Sequence, residues 1–148
     1  MNTHPYLRAY MAGTFVPTIV VMLAVCSFAF VRYVCGVVPA FPVERFMIFP
    51  LAFVPSLWGV WNLLYVALKR RLPIGVHGTL LVVLLAPLGL TVGRLIGLYS
   101  LHANGFVSPQ GAQLPYTVVV IGAAGGLIIY YLMWKYVVGF LNRMLGIA

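Results

Sequence analysis

Four long apolar stretches, separated by short segments rich in proline, glycine or basic residues, dominate the pattern of hydrophobic and polar positions along the chain. They cover residues 14–38, 46–68, 74–101 and 116–141. Each reaches the roughly 20 residues that an α-helix needs to cross a hydrocarbon core of about 30 Å. Because a backbone inside lipid must satisfy its own hydrogen bonds, the pattern predicts four transmembrane helices.

The connections between the stretches are short, which makes sequence neighbours into spatial neighbours. Residues 39–45 and 69–73 contain prolines that stop helices, and residues 102–115 are polar without a formal charge. Short hairpins favour an up-down bundle. We therefore predict an all-α integral membrane protein in which residues 1–148 form a single membrane domain.

Composition agrees with this pattern and excludes a soluble domain. Of the residues, 64% are hydrophobic and 7% charged, with a mean hydropathy of +1.08, whereas soluble domains carry about 25% charged residues. The net charge of +8 comes from nine Lys/Arg against one acid, Glu44. The basic residues stand at the ends of apolar stretches and are not interleaved with aromatics in a polar segment. They therefore indicate a lipid bilayer as the partner and no nucleic acid.

The same basic residues orient the chain. Residues 69–71, Lys-Arg-Arg, form part of a short connection, and such connections are cytoplasmic under the positive-inside rule. With four crossings, Arg8, Lys135 and Arg143 fall on that side as well. The sequence thus predicts a protein of the bacterial cytoplasmic membrane with both termini in the cytoplasm and residues 102–115 outside.

Two arginines lie inside apolar stretches, and their depth in the bilayer decides the free-energy cost of their charge. At 1.5 Å per residue, Arg32 lies about 27 Å along the first helix and Arg94 about 30 Å along the third. Both reach the outer interface, near Glu44, Arg45 and His102. Two interpretations stay open: a snorkelling or ion-paired rim, or a site for an anion, a phosphate head group or a lipid-linked substrate.

The second helix carries Trp58, Asn62 and Tyr65 at helical spacing on one face. One interpretation is an interhelical hydrogen bond from Asn62 with aromatic packing. The other is an intramembrane groove for the ring or tail of a quinone, pigment or isoprenoid, opened by prolines that kink the second and third helices.

Small residues recur at spacings of four on the last two helices. The third carries Gly89, Gly93 and Gly97, and the fourth carries Gly122 and Gly126. Such residues let helix backbones approach closely in lipid. We predict a helix-packing seam, either between these two helices or between copies of the chain.

No pattern of catalytic, metal-binding or family-specific residues is present in the sequence. His4, His77 and His102 do not offer the ligand pair at one depth that a membrane haem requires, and no paired Cys/His spacing indicates zinc. A single carboxylate supplies neither a proton relay nor an acid/base pair. We predict no enzyme, no catalytic residues, no metal and no cofactor. A bound lipid is the one ligand that the composition favours.

The leading hypothesis is a non-catalytic membrane subunit that binds lipid or a partner and packs through the glycine seams, with other membrane subunits or as a homo-oligomer. The first alternative is a small homo-oligomeric channel or carrier for an anion or a lipid-linked substrate. The second is a quinone- or pigment-binding subunit of a redox complex.

Overall fold

The computed structural model describes residues 4–38, 43–48, 51–68 and 71–147, and it is mostly helical, at 76%. Among the described residues, three helices are long and apolar enough to cross a membrane: Pro5–Val34, Ile74–Leu95 and Tyr116–Met144. A shorter apolar helical segment, Leu51–Ala67, lies between the first two.

The described elements follow one another as helices with one small sheet before the last helix. The first part contains α1 (Pro5–Ala29), which continues as a π-helix (Phe30–Val34), then α2 (Val43–Ile48), a 3₁₀ turn (Leu51–Phe53), α3 (Val54–Ala67) and α4 (Ile74–Leu95). The second part contains β1 (Ser100–His102), β2 (Gly105–Val107), β3 (Gln113–Pro115), α5 (Tyr116–Leu132), a second π-helix (Met133–Val138) and α6 (Gly139–Met144).

The first helix starts well before residue 14, because its first turns are buried by other helices. Pro5 occupies the first helical position, where a proline leaves no hydrogen bond unmet. Ala9 and Ala12 are 0% and 1% exposed, packed with Ile147 near the C-terminus. At 1.5 Å per residue the 30 residues of Pro5–Val34 measure about 45 Å.

The prolines of the second and third predicted helices act differently from one another. Pro55 sits in the first turn of α3, so it starts a helix and does not kink one, contrary to the prediction. Pro87 lies inside α4, where Thr91 Oγ1 donates to the Pro87 carbonyl at 2.8 Å. Pro50 lies outside the described residues.

Helix α4 ends at Leu95, six residues before the predicted end, and Gly97 is the reason. Gly97 adopts φ 68, a left-handed conformation that glycine tolerates. The Leu98 N–H then donates to the Gly93 carbonyl at 2.9 Å and the Gly97 N–H to the Arg94 carbonyl at 3.1 Å. This Schellman motif satisfies the last carbonyls of the helix.

Residues 100–115, predicted as the end of the third helix and the loop after it, contain a three-stranded antiparallel sheet in the order β1-β2-β3, so the all-α prediction is wrong here. Ser100 pairs with Val107 and His102 with Gly105, while Gln113 pairs with Val107. The chain reverses between β1 and β2 over Ala103 and Asn104. Gly105, at φ 154, then lies so close to the β3 backbone that no side chain would fit.

The helices pack tightly at one end of the molecule and separate at the other. The main core holds Val16, Trp58, Leu81, Trp134 and Val138. We call this the packed end; it contains both described termini, the start of α4, most of α3 and α6. None of residues 18–38, 86–92 or 116–129 is buried. These residues form the open end, which carries α2 and the sheet.

Candidate functional site

The packed end is held together by a pair of buried asparagines. Asn62 Nδ2 donates to Asn142 Oδ1 at 2.8 Å, and Asn142 Nδ2 returns a bond to Asn62 Oδ1 at 3.0 Å. Asn62 Nδ2 also donates to the Ala9 carbonyl at 2.7 Å. Asn62 is 0% exposed and Asn142 2% exposed, so these bonds replace those that water would supply. The side chain of Asn62 therefore joins three helices and is not free for a ligand.

Beside this pair, His77 is enclosed by aromatic rings. Its Nε2 donates to the Trp61 carbonyl at 2.9 Å, and Trp61 Nε1 donates to the His77 carbonyl at 2.7 Å. The Trp61 and His77 rings stack with centroids 4.9 Å apart, and the Tyr65 ring lies 5.2 Å from His77. Tyr65 is thus part of the packing at the start of α4. Sequence reasoning missed His77, because a single histidine at a helix start carries no pattern.

Trp58 behaves differently from its two predicted partners. Its ring contacts Tyr130 at 4.8 Å and Trp134 at 5.1 Å, and it also lines apolar grooves that open between the helices. Of the predicted groove residues Trp58, Asn62 and Tyr65, the structure brings Trp58 alone to these grooves. The other two belong to the packed interior, as the interhelical interpretation of this face expects.

Three apolar grooves surround the first turns of α3, with volumes of about 410, 320 and 260 Å³. The largest, here named the α3–α4 groove, is lined by Phe53, Val54, Leu57, Leu85, Leu88, Gly89 and Val92. Val54 lines all three. The grooves exist because α3 begins near the middle of its neighbours, leaving their exposed apolar faces without a partner among the described residues.

The predicted glycine seam between the third and fourth helices is absent from the described chain. A Cβ added at Gly89, Gly122 or Gly126 would meet nothing within 4 Å, and Gly97 lies beyond the end of α4. Gly93 instead accommodates the ring of Tyr99. Repeated glycines show that a close contact could form, but they do not show which face of a helix meets its neighbour.

Close contacts between helices form at other glycines, which lie at the packed end. A Cβ on Gly13 would lie 2.5 Å from the Trp58 carbonyl, and one on Gly59 would lie 2.6 Å from Thr14. A Cβ on Gly78 would overlap the indole of Trp134. None of these three glycines has another glycine four residues away, so a search for glycines at that spacing does not find them.

At the open end, Glu44, the one acidic residue of the sequence, forms an ion pair that joins neighbouring elements. Glu44 Oε1 of α2 lies 3.7 Å from Arg32 Nε, and both side chains are about one-third exposed, at 40% and 32%. Such a pair contributes about 0–1 kcal/mol. The structure therefore places Arg32 and Glu44 together, as the ion-paired interpretation expects.

The next residue, Arg45, forms hydrogen bonds with the end of α4. Its guanidinium donates to the Ile96 carbonyl at 2.9 Å and to the Gly97 carbonyl at 3.4 Å. A cation at a helix C-terminus is favoured by the helix dipole. Arg45 consequently lies beside the last turn of α4, which carries Arg94.

Arg94 has neither a hydrogen bond nor an ion pair with any residue that the structure describes. Its described neighbour is Tyr99, whose hydroxyl donates to the Leu90 carbonyl at 2.6 Å. Burial raises the pKa of Tyr99, and the positive charge of Arg94 acts in the opposite direction. Arg94 is exposed and leaves a guanidinium, with its five donors, available at this end of the molecule.

His102, the last of the predicted head-group residues, lies on the sheet and not against the arginines. It lines a cleft of about 420 Å³ together with Asn104 and Gln113. The Tyr116 hydroxyl donates to the His102 carbonyl at 2.8 Å and fixes β1 to the start of α5. The predicted cluster thus divides into an arginine rim, formed by Arg32, Arg45 and Arg94 with Glu44, and a separate polar cleft.

Within the described residues, no group of three or more His, Cys, Asp or Glu side chains could hold a metal ion. Cys26 and Cys35 are free and exposed. No protein-family model matches the chain, and no curated protein or solved structure is significantly similar to it.

Proposed function

We propose that this chain is a non-catalytic integral membrane protein that binds an anionic phospholipid at its open end. The observation that carries the proposal is Arg94, a guanidinium without an acceptor among the described residues, in the last turn of the helix whose other face lines an apolar groove. The groove would take an acyl chain and the arginine rim the phosphate.

A membrane setting for this site is supported by the three long apolar helices. For the finer topology we keep the prediction of four crossings in an up-down bundle. The segment Leu51–Ala67 would make the short crossing, since 17 apolar residues measure about 25 Å. The contacts of this segment with α1 support a crossing. The Asn62 side chain donates to the Ala9 carbonyl, whereas the Trp58 carbonyl lies against Gly13, so α3 runs antiparallel to α1. In this topology both termini are cytoplasmic and the arginine rim is outside.

The α3–α4 groove has the chemistry of an acyl-chain site. Its lining is almost entirely apolar, and its volume of about 410 Å³ lies within the roughly 300–1,000 Å³ typical of ligand pockets. Gly89 widens the groove because it has no side chain and no neighbour within 4 Å of the place where one would be. Val92 is the last α4 residue of the lining, and Arg94 stands two residues later on the other side of α4, so a lipid that fills the groove would have to pass around the end of this helix to place its phosphate on Arg94.

The charge of the arginine rim selects an anion over a neutral or cationic head group. The rim carries three arginines and one glutamate, and Glu44 is already paired with Arg32. Arg45 donates through Nη1 to the carbonyls of α4, so Arg94 is the one of these three arginines that has neither a hydrogen bond nor an ion pair among the described residues. Guanidinium groups bind phosphate oxygens in a bidentate manner. A phosphate on Arg94 would also lie within the positive field of Arg45.

Lipid retention in a pair of matched variants tests the proposal. Arg94 and Arg143 each stand in the last turn of a helix, three residues before a glycine with positive φ, at opposite ends of the molecule. We expect Arg94→Gln to weaken retention of phosphatidylglycerol about tenfold, since a charge-assisted hydrogen bond contributes roughly 1.5–3 kcal/mol. Arg143→Gln should change it little.

Native mass spectrometry of protein released from nanodiscs of mixed phosphatidylglycerol and phosphatidylcholine gives this measurement and reports copy number. Equal retention by the two variants, or no preference of the unmodified chain for the anionic lipid, would contradict the proposal. The alternatives of an oligomeric channel or carrier and of a quinone- or pigment-binding subunit stay predictions.

A further inference from the structure

The two faces of the small sheet differ in chemistry, and the strand register shows how. Leu101, Phe106 and Leu114 stand opposite one another, so their side chains share one face. Phe106 contacts the rings of Tyr99 and Tyr116 with centroids 4.6 and 5.5 Å apart, which anchors this face to the helices. The side chains of the two flanking cross-strand rows, Ser100/Val107/Gln113 and His102/Gly105/Pro115, lie on the opposite face.

That opposite face holds the cleft of about 420 Å³. Two rows of the register form it, one centred on Gly105 and the other on Val107. Because Gly105 has no side chain, the centre of the first row is hollow, and the planar side chains of His102, Asn104 and Gln113 stand around it. The cleft is built on hydrogen-bonded backbone and not on a free loop.

We propose that this sheet cleft binds a neutral saccharide. Between Ser100 and Pro115 the chain has no Asp, Glu, Lys or Arg, so an ionic ligand would lose its hydration without gaining a counter-charge. The amides of Asn104 and Gln113 both donate and accept hydrogen bonds, and so does a neutral imidazole through its two nitrogens. Sugar hydroxyls have the same dual character, which a carboxylate, an ammonium or a hydrocarbon lacks.

The size and rigidity of the cleft agree with this ligand. Its volume is at the lower end of the roughly 300–1,000 Å³ typical of ligand pockets, which suits a mono- or disaccharide. The turn that leads to β3 is fixed by Ser108, whose backbone N–H donates to the Ala112 carbonyl at 2.8 Å and whose Oγ accepts from the Ala112 N–H at 3.0 Å. A preformed site loses less entropy when it binds.

The saccharide has two sources with the same chemistry, a free sugar or the head group of a glycolipid. The site stands apart from the arginine rim, and the proposal does not depend on the retention of phospholipid. The full chain in phosphatidylcholine nanodiscs allows both sources to be tested by saturation-transfer NMR. Free maltose, lactose and chitobiose serve as soluble probes, and glucosyl-diacylglycerol in the nanodisc serves as the membrane probe.

We expect saturation transfer to at least one of these probes and a loss of at least fivefold in Gln113→Ala. Gln110→Ala is the matched control, since Gln110 lies on the same segment and does not line the cleft. His102→Ala gives a second variant, and an unchanged thermal midpoint shows that each variant is folded. A soluble probe that binds identifies a free sugar, whereas binding of the glycolipid alone identifies a head group.

Three outcomes would overturn the proposal: no transfer to any probe, equal loss in Gln113→Ala and Gln110→Ala, or stronger binding of inorganic phosphate than of every sugar. Retained phosphatidylglycerol in Gln113→Ala, measured in parallel, shows that failure here is separate from failure of the lipid site.

Discussion

The two ends of this molecule are built from different residues for different purposes. The packed end uses single glycines, alanines and two asparagines, and its helices approach until a Cβ would not fit at Gly13, Gly59 or Gly78. The open end has large aliphatic side chains, such as Ile121 and Leu95, exposed by 72% and 79%. In an apolar chain the small residues and the amides therefore determine which helices contact one another, because aliphatic side chains pack equally well against lipid.

The largest expected effect on stability comes from replacing a glycine of the packed end by alanine, compared with the same replacement at the open end. Gly78→Ala should lower the thermal stability of the detergent-solubilised chain by about 1–3 kcal/mol, because the new Cβ overlaps the Trp134 indole. Gly125→Ala should be neutral or stabilising by less than about 1 kcal/mol, because nothing lies within 4 Å and alanine favours helix. Thermal unfolding followed by tryptophan fluorescence compares the two.

The same pair of variants tests whether the protein is a monomer or an oligomer. Should Gly125→Ala prove as damaging as Gly78→Ala, the exposed glycine face of α5 must meet another helix. That result would restore the predicted seam, between copies of the chain and not within one.

An effect of similar size is expected from the asparagine pair. Asn62→Leu or Asn142→Leu alone should destabilise by about 1–3 kcal/mol, since each leaves a buried amide without its partner. The double variant should lose at least about 0.5 kcal/mol less than the sum, because both polar groups are then gone. Gln110→Leu, at an exposed position of the open end, serves as the control. Strict additivity in thermal unfolding would show that the two amides do not act together.

The smallest expected effect is at the arginine rim. Arg45→Gln removes the donor to the Ile96 and Gly97 carbonyls and should destabilise by about 0.3–1 kcal/mol, more at low salt than at high salt. The exposed Arg71 gives the comparison, and Arg71→Gln should shift the thermal midpoint by less. A salt-independent loss in Arg45→Gln would indicate a packing role of the side chain in place of the charge.

The sequence predicts what depends on apolar length and charge. Three of its four apolar stretches appear as helices of membrane-spanning length in the described residues, and Glu44 lies beside Arg32. These features follow from local composition. The end of α4 before Gly97 also has a local signal, because a glycine commonly follows the C-cap of a helix and a basic residue in the last turn is favourable.

What the sequence did not predict depends on contacts between distant residues. The sheet was missed because strands of three residues give no periodic signal, and because Ala103-Asn104, the two-residue turn of the first hairpin, is not one of the dipeptides typical of such turns. The partner of Asn62 could not be chosen, since Asn142 lies 80 residues away. The candidate cluster of arginines and His102 divided because the sheet turns His102 away from the helix ends.

The asparagine pair has a consequence for how the protein is made. A ribosome adds about 5–20 residues per second, so the 80 residues between Asn62 and Asn142 take about 4–16 s to synthesise. During that interval the nascent α3 carries an amide whose partner does not yet exist, on a helix shorter than the three long apolar ones. This helix would have to be held until the segment that carries Asn142 is synthesised. The packed end is therefore completed by α6, which leaves the ribosome after α1, α3 and α4.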